Sequence, residues 1–493
     1  MSCTVDGWSD AQGRKVLALT GHWVSSNWIL KDAVMGVQWV VGASTADNIQ
    51  RVIDNIIGRF QETAEGNLKF VLVCMTSDGE SAMTKACVDL LEDANDREYC
   101  FGHVAALSIR DVLGNKGTDP QLAQNKELIA KVRRTVAKIK NSKLKSELVA
   151  NAQFLEHQNL LLPADTRWAT EYYMVKRFLG LLPAIDRLYG TVEEASSLET
   201  FSDREIEQLE AWVVVLEPIE RVIRWSEGEK YLTICHVPEW AADLIQLTRT
   251  IPGERATQAK ARRQLHQSIS TRMMPFLNVE QCPQSRTVFS DGYFHPSGVK
   301  IPPCLIAAAL HPAYVELECL DVLDSSTDAN SLRKLVWQRI EYEAKALTPG
   351  PQGPAMEIEG SSTSSDWDST PKEDHLHSQA FFVRKYMREV KAKILQAGRH
   401  PSRLDALQFW KKCGVAFPAF ARVAKAFLAV PATSAPCERV FSTCGYLDKK
   451  ARGRSNMIPS LTFCRRNLKF LGASADEQLG ELCRQLPEST QSQ

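Results

Sequence analysis

The period of the apolar positions changes along this chain. Near the N-terminus, short runs rich in β-branched and aromatic residues, at Ser2–Val5, Val16–Val24 (VLALTGHWV) and Ile29–Val41, alternate with polar breaks, which predicts three strands joined by hairpin connections. The spacing then lengthens. Ile49, Val52, Ile53, Ile56, Ile57 and Phe60 recur at helical intervals behind Thr45, a suitable cap, and Gly66 follows them. Phe70–Met75 (FVLVCM) is a continuous apolar run, the pattern of a strand covered on both faces. Ser81–Leu91 reads as a helix and Tyr99–Ile109 (YCFGHVAALSI) as a further buried element. The predicted order is strand, strand, strand, helix, strand, helix, strand: antiparallel hairpins, then a crossover that adds parallel strands.

From Asp111 to Arg399 strand patterns almost vanish. Helices are predicted at Lys126–Val149, Glu171–Leu188, Arg204–Trp225 (with Ser202 and Glu205 as a capping box), Glu254–Met273 and Leu332–Leu347. No fixed-period repeat is visible. Thr348–Asp374 is rich in Pro, Gly, Ser and acids and reads as a disordered loop. The block Leu407–Leu471 is helical again. Phe420, Val423, Ala424, Phe427 and Leu428 form one stripe, and Pro459 starts a later helix that runs to Gly472. Stripes like these are usually core, and so dense an apolar block on so short a segment also suits a second chain completing some of its surface.

Composition bounds the class without choosing a partner. The 493 residues can hold two or three domains, the apolar fraction of 44% is that of a globular chain, and 59 basic against 59 acidic residues leave no net charge. Thirteen scattered cysteines suggest free thiols in a reducing compartment. The runs Val16–Val24 and Cys304–Leu310 are too short to span a bilayer, and the N-terminus lacks a secretion signal, so an intracellular protein without a membrane partner is expected.

Candidate chemistry centres on Pro431–Leu447 (PATSAPCERVFSTCGYL). Ser434 can cap a helix whose first turn holds Pro436 and Glu438, with Gly445 placed to end it. Taken alone, Glu438 is an ordinary first-turn acid on a packing helix. Asp6 in TVDGWSD and Asp78 in VCMTSDGESAM change that reading. The element order of the first part resembles that of a ribonuclease-H-like α/β core, an order that other mixed sheets share; in such a core the first strand and the strand after the crossover are neighbours. Both aspartates then emerge near one sheet edge, where a returning helix can bring Glu438. Three converging carboxylates call for hard cations, Mg²⁺ or Mn²⁺. Two such ions can clamp the oxygens of an in-line phosphodiester displacement.

TVDGWSD, STADNI (Ser44–Ile49), TSDGESAM (Thr76–Met83), CFGH (Cys100–His103), DTRWAT (Asp165–Thr170), AALHPAYV (Ala308–Val315) and the block Phe417–Leu461 together resemble, in this order, the hAT transposase superfamily. The resemblance covers nearly the whole chain, and its closing block, which looks like the family's dimerisation region, is the most specific piece. It implies a ribonuclease-H-like mixed sheet interrupted by a large helical insertion. The expected parts are 1–110 for the first part of the core, 111–400 for the insertion with its loop near 348–374, 401–475 for the dimerisation region and last core helix, and 476–493 for a tail. It also implies a DDE triad of Asp6, Asp78 and Glu438 holding Mg²⁺ or Mn²⁺, DNA (transposon ends) and a second copy of the chain as partners, and a nuclear location. Trp168 matches a tryptophan that stacks on a DNA base, with Arg167 beside it at a phosphate and His103 of the CxxH motif near the scissile phosphate. Without the family, Trp168 is a core anchor, Arg167 a partner for a surface acid and His103 a buried, hydrogen-bonded histidine. The basic stretches Lys131–Lys145 and Lys449–Arg454 read either as solvated faces or as a phosphate track and an import signal.

The sequence departs from the family at Ala82, Ala105, Ala106, His311 and Pro436, none of them a proposed metal ligand. The family's N-terminal BED zinc finger is not matched, which puts recognition of transposon ends in doubt even with the triad whole. Two functions follow: a metal-dependent strand-transfer enzyme, or a domesticated, non-catalytic dimerising scaffold or chromatin-associated regulator. An unrelated ribonuclease-H-like nuclease would leave the closing block unexplained.

Overall fold

The computed structural model describes residues 1–10, 12–63, 71–91, 97–113, 122–163, 169–278, 280–281, 299–323, 328–347, 372–398, 400, 404–450 and 457–467. The chain divides into two compact units, one of Met1–Tyr99, Glu229–Pro238 and Phe276–Gln493, the other of Cys100–Gly228 and Glu239–Pro275.

The first unit is built on a mixed sheet of β1 (Ser2–Ser9), β2 (Lys15–Val24), β3 (Leu30–Trp39), β4 (Cys74–Ser77) and β5 (Arg97–Tyr99), with α1 (Ala46–Thr63) after β3 and α2 (Ser81–Leu91) after β4. The strand order is β3-β2-β1-β4-β5. β1, β2 and β3 pair antiparallel, whereas β1–β4 and β4–β5 are parallel, as hairpins followed by helical crossovers require. Alternation sorts the side chains. Cys3, Val5, Leu17 and Leu19 pack with Ile49, Val52, Ile53 and Ile56 of α1 and Met83, Ala86 and Cys87 of α2. Val16 and Ala18 face the other way.

Two expectations shift here. The run Phe70–Met75 is not the fourth strand: β4 starts at Cys74, because its pairing is set by β1, with Ser2 opposite Cys74 and Thr4 opposite Thr76. Phe70 lies outside the described residues. The last strand is Arg97–Tyr99, and most of Tyr99–Ile109 is instead the start of α3 (Phe101–Leu113), with Phe101, Ala105, Ile109 and Val112 buried at helical spacing. An apolar run of that length has no period of its own to separate strand from helix.

The second unit is helical: α3, α4 (Ala123–Lys140), α5 (Leu144–Asn151), α6 (Thr170–Thr191), α7 (Asp203–Ser226), most of α8 (Val237–Leu247) and α9 (Ala256–Met273). The Ser202 capping box forms as expected, with Glu205 N donating to Ser202 Oγ at 3.4 Å and Ser202 N to Glu205 Oε2 at 2.8 Å. The single helix expected over Lys126–Val149 is broken at Asn141–Ser142. There the Ser142 hydroxyl accepts from Leu144 N and donates to Ile139 O, local bonds that compete with the helical ladder.

The chain then returns to the first unit through a two-stranded ribbon, β6 (Glu280–Gln281) and β7 (Val299–Lys300), and through α10 (Pro303–Ala309), α11 (Ala329–Ala346), α12 (Lys372–Gln396), α13 (Ala406–Cys413), α14 (Pro418–Leu428), α15 (Ala435–Lys450) and α16 (Ile458–Asn467). Residues 276–398 therefore group with the sheet and not with the helices of 100–228. The α14 stripe Phe420, Val423, Ala424, Phe427 and Leu428 is fully buried, and Trp410 Nε1 donates to Leu310 O at 2.8 Å. α15 and α16 cover the second face of the sheet: Cys437, Val440, Phe441, Cys444 and Ile458 pack on Val16, Ala18 and Val34. Gly445 does not end α15, which continues to Lys450, because burial on the sheet outweighs the modest helix penalty of one glycine. No described helix is long and apolar enough to cross a membrane.

Candidate functional site

Strand register brings the two aspartates level. β1 and β4 run parallel with Thr4 opposite Thr76, so two residues further along each chain Asp6 and Asp78 reach the same height. Their parity is also shared. Thr4 and Thr76 both meet the segment around the start of α15: Cys437 Sγ donates to Thr4 O at 3.3 Å, and Thr76 Oγ1 donates to Pro431 O at 2.8 Å. Asp6 and Asp78 continue those rows, on the face that α15 covers. Asp6 lies inside β1, not at its end, because β2 remains paired to Ser9 after β4 has stopped.

The N-terminal turn of α15 is fastened here. The segment Pro431–Ser434 is held from three sides, by Thr76, by Thr233 Oγ1, which accepts from Ala432 N at 3.0 Å, and by Asp6, whose carboxylate accepts a hydrogen bond from the Ser434 hydroxyl. Ser434 is 2% exposed. Its carbonyl accepts from Cys437 N and Glu438 N at 2.8 and 3.2 Å, which starts the helix. Glu438 thus sits in the first turn, where the helix dipole favours a carboxylate.

Electrostatics couple these groups. Burial first, and the Asp78 charge second, push the Asp6 carboxyl up to about 7, while the Gly7 N–H, the Ser434 hydroxyl and the Lys15 ammonium partly offset them. Gly7 N donates to Asp6 Oδ1 at 2.7 Å. The buried Cys437 thiol is raised by desolvation and then by Asp6, with a smaller contribution from Glu438, so this thiol lies in the field of both acids. Lys15 pairs with Glu80 at 3.0 Å across the mouth of the site.

Asp78 is set by a residue that sequence reasoning missed. The buried Arg97 donates from Nη2 to Asp78 O at 2.5 Å and from Nε to Ser77 Oγ at 3.0 Å, with its guanidinium over Tyr99 at 4.3 Å. A basic residue opening a buried strand was the available signal. Next to it, Glu98 is enclosed and pushed up to about 7 by burial, although Cys304 N donates to it at 2.9 Å.

A hard divalent cation suits the Asp6–Asp78 pair, since Asp6 is buried and feels the Asp78 charge. Glu438 does not complete the set: among the described residues no three of His, Cys, Asp and Glu form a group that could hold a metal ion. Asp6, Asp78 and the turn carrying Glu438 therefore meet at one end of the sheet without closing a three-ligand shell.

Arg167 and Trp168 lie outside the described residues. His103 is half-buried in the first turn of α3, in the second unit, behind the buried Cys100. Within that unit the start of the basic run is ion-paired: Lys131 pairs with Glu205 at 2.7 Å, and Arg134 pairs with Glu199 at 2.7 Å and Glu127 at 2.9 Å. Residues 451–456, with most of the second basic stretch, are outside the described residues. His236 and His311, at positions with no expected role, form a buried cluster with Tyr314. His236 Nδ1 and Tyr314 Oη are 2.6 Å apart and the two imidazole centroids 5.6 Å apart.

Comparison with known proteins places two segments. Residues 382–468 match the hAT family C-terminal dimerisation region, and residues 99–213 match the ZBED1 RNase-like helical domain. Two Zea mays proteins, an AC transposase and an AC9 transposase, are each 25% identical over 198 residues, which is 38% of this chain. The match spans 23% and 22% of those relatives' own lengths. Through these matches the chain is similar to hAT transposases, and residues 382–468 correspond to that family's C-terminal dimerisation region.

Proposed function

We propose that this chain works as the core of a hAT-type transposase: a ribonuclease-H-like domain that cuts and rejoins DNA strands in a divalent-metal-dependent reaction, as a dimer or higher oligomer and in the nucleus. The single observation that carries this reading is the register-matched Asp6–Asp78 pair on adjacent parallel strands, with the first turn of α15 fastened to Asp6 through Ser434. The strand order β3-β2-β1-β4-β5 and the match to an RNase-like helical domain support the core assignment.

Asp6 and Asp78 would hold Mg²⁺ or Mn²⁺ between them; the family pattern assigns the third carboxylate to Glu438, which forms no three-ligand group with them among the described residues. A bound divalent ion supplies Lewis-acid stabilisation of a phosphoryl oxygen and a more acidic water or hydroxyl nucleophile. The protein's own work is positional. Ser434 and Gly7 hold the Asp6 carboxylate in one orientation, Arg97 fixes the Asp78 turn by its carbonyl, and Lys15 offsets negative charge at the mouth. Arg167, Trp168 and His103 are the DNA contacts proposed from the family pattern.

The test is Mn²⁺-dependent nicking of a supercoiled plasmid by the purified chain, with Asp78→Asn as control. Nicking that is lost in Asp78→Asn supports the reading; metal-independent or absent nicking overturns it. One observation favours the second reading, a non-catalytic dimerising scaffold: Glu438 closes no metal-holding group with the aspartates among the described residues. Retained self-association without nicking is the result that reading requires.

A further inference from the structure

α15 carries a second feature, one helical turn beyond Glu438. Arg439, Ser442, Thr443 and Tyr446 of α15 and Arg465 and Arg466 of α16 line a shallow concavity of about 300 Å³. Three guanidiniums meet there. Arg439 is ion-paired with Glu229, whereas Arg465 and Arg466 make no ion pair among the described residues. Arg465 stands over the Tyr446 ring at 5.2 Å, and Arg466 is half-buried with no hydrogen-bond partner for its Nε. Like charges gathered at one place, with one of them partly desolvated, are costly unless an anion joins them. The Ser442 and Thr443 hydroxyls donate back to Glu438 O and Arg439 O at 3.1 and 3.4 Å, so their protons are used within α15 and the donors facing the concavity are the guanidiniums.

We infer that this concavity is a phosphate cradle that holds the DNA backbone next to the acidic site. The inference rests on the proposed function, since DNA is chosen as the occupant because Glu438 and Ser442 share one row of α15. Positions four apart are neighbours on a helix face, so the cradle begins about 6 Å along the axis from Glu438. Phosphates follow one another at about 3.4 Å of rise per strand, so a strand crossing the acids carries its next phosphates over the arginines. The flat fork of a guanidinium meets phosphate oxygens two at a time.

The experiment measures affinity for a fluorescent 30-base-pair duplex in EDTA, as a function of salt, for the full chain, the double variant Arg465→Ala/Arg466→Ala, the double variant Arg465→Lys/Arg466→Lys and Asp78→Asn. The alanine pair is expected to bind roughly tenfold more weakly and to lower the slope of log affinity against log salt by about 2. The lysine pair should recover most of the slope, and Asp78→Asn, which removes a carboxylate that repels the strand when no metal is bound, should bind more tightly than the wild type. Circular dichroism and thermal melting establish that each variant is folded. Inorganic phosphate at millimolar concentration is the competing arm: competition that is equal in wild type and alanine pair overturns the cradle, and competition lost in the alanine pair supports it. Unchanged affinity and slope in a folded alanine pair overturn this inference alone. A wild-type chain that binds no duplex overturns it together with the proposed function.

Discussion

The Ser434 hydroxyl hydrogen-bonds to the Asp6 carboxylate, joining the residue that begins α15 to a strand at the opposite end of the chain. That bond favours ionised Asp6 and opposes burial and Asp78. Ser434→Ala is therefore expected to raise the pH at which Asp6 deprotonates above its present value of about 7. In the nicking assay the acid limb of the pH–rate profile should move to higher pH, with the activity at high pH less affected. An unmoved acid limb would remove Asp6 from the rate-determining ionisation.

Close packing of α1 on the sheet depends on Gly36. A Cβ built at Gly36 of β3 lies 2.5 Å from Ile56 Cγ2 and 3.2 Å from its Cβ, and Ile56 is 3% exposed. Neither the stiff β-branched side chain nor the helix can yield cheaply. Gly36→Ala should cost about 1–3 kcal/mol in urea unfolding. Gly36→Ala combined with Ile56→Ala should be less destabilised than the sum of the two single changes.

Acid sensitivity should depend on the buried histidines. Burial pushes His236 down to about 4 and His311 down to about 3, the latter also through His236, so both are neutral in the folded chain at pH 5, whereas the unfolded chain binds protons below about 6.5. Each therefore lowers stability as pH falls from about 6.5 towards its folded value. Asp6 and Glu98, both raised to about 7, act in the opposite sense over the same window. The informative quantity is the difference: His311→Gln should lose up to about 2 kcal/mol less than wild type between pH 6.5 and 5. Parallel unfolding curves at the two pH values would contradict this.

In the second unit the capping box is the exposed test case. Ser202→Ala removes the acceptor for Glu205 N and should cost about 1 kcal/mol, read as earlier amide exchange at the start of α7. Ser202→Asp should retain most of the stability.

Much of this architecture was legible because period and pairing agree. Alternation in Val16–Leu19 and the helical spacing from Ile49 to Phe60 each define a buried face, and the sheet satisfies both. Motif order carried the family resemblance, which the dimerisation-region match supports. The start of β4 was not legible, since it is fixed by register with β1 and not by the apolarity of Phe70–Met75. Cooperation between Arg97 and Asp78 was hidden for a similar reason: it depends on adjacent parallel strands that a linear pattern does not align. His236 and His311 looked incidental because their contact joins positions 75 residues apart (311 − 236) through packing alone.

β1 is made long before the helix that covers it: Cys437 Sγ reaches Thr4 O across a sequence separation of 433 residues. During synthesis the Val16, Ala18 and Val34 side of the sheet has no partner until α15 and α16 leave the ribosome. A prematurely terminated product would carry both aspartates and yet present a bare apolar sheet, a target for chaperones and proteases. Burial of this face of the sheet therefore waits on α15 and α16, and a chain interrupted before them keeps Val16, Ala18 and Val34 uncovered.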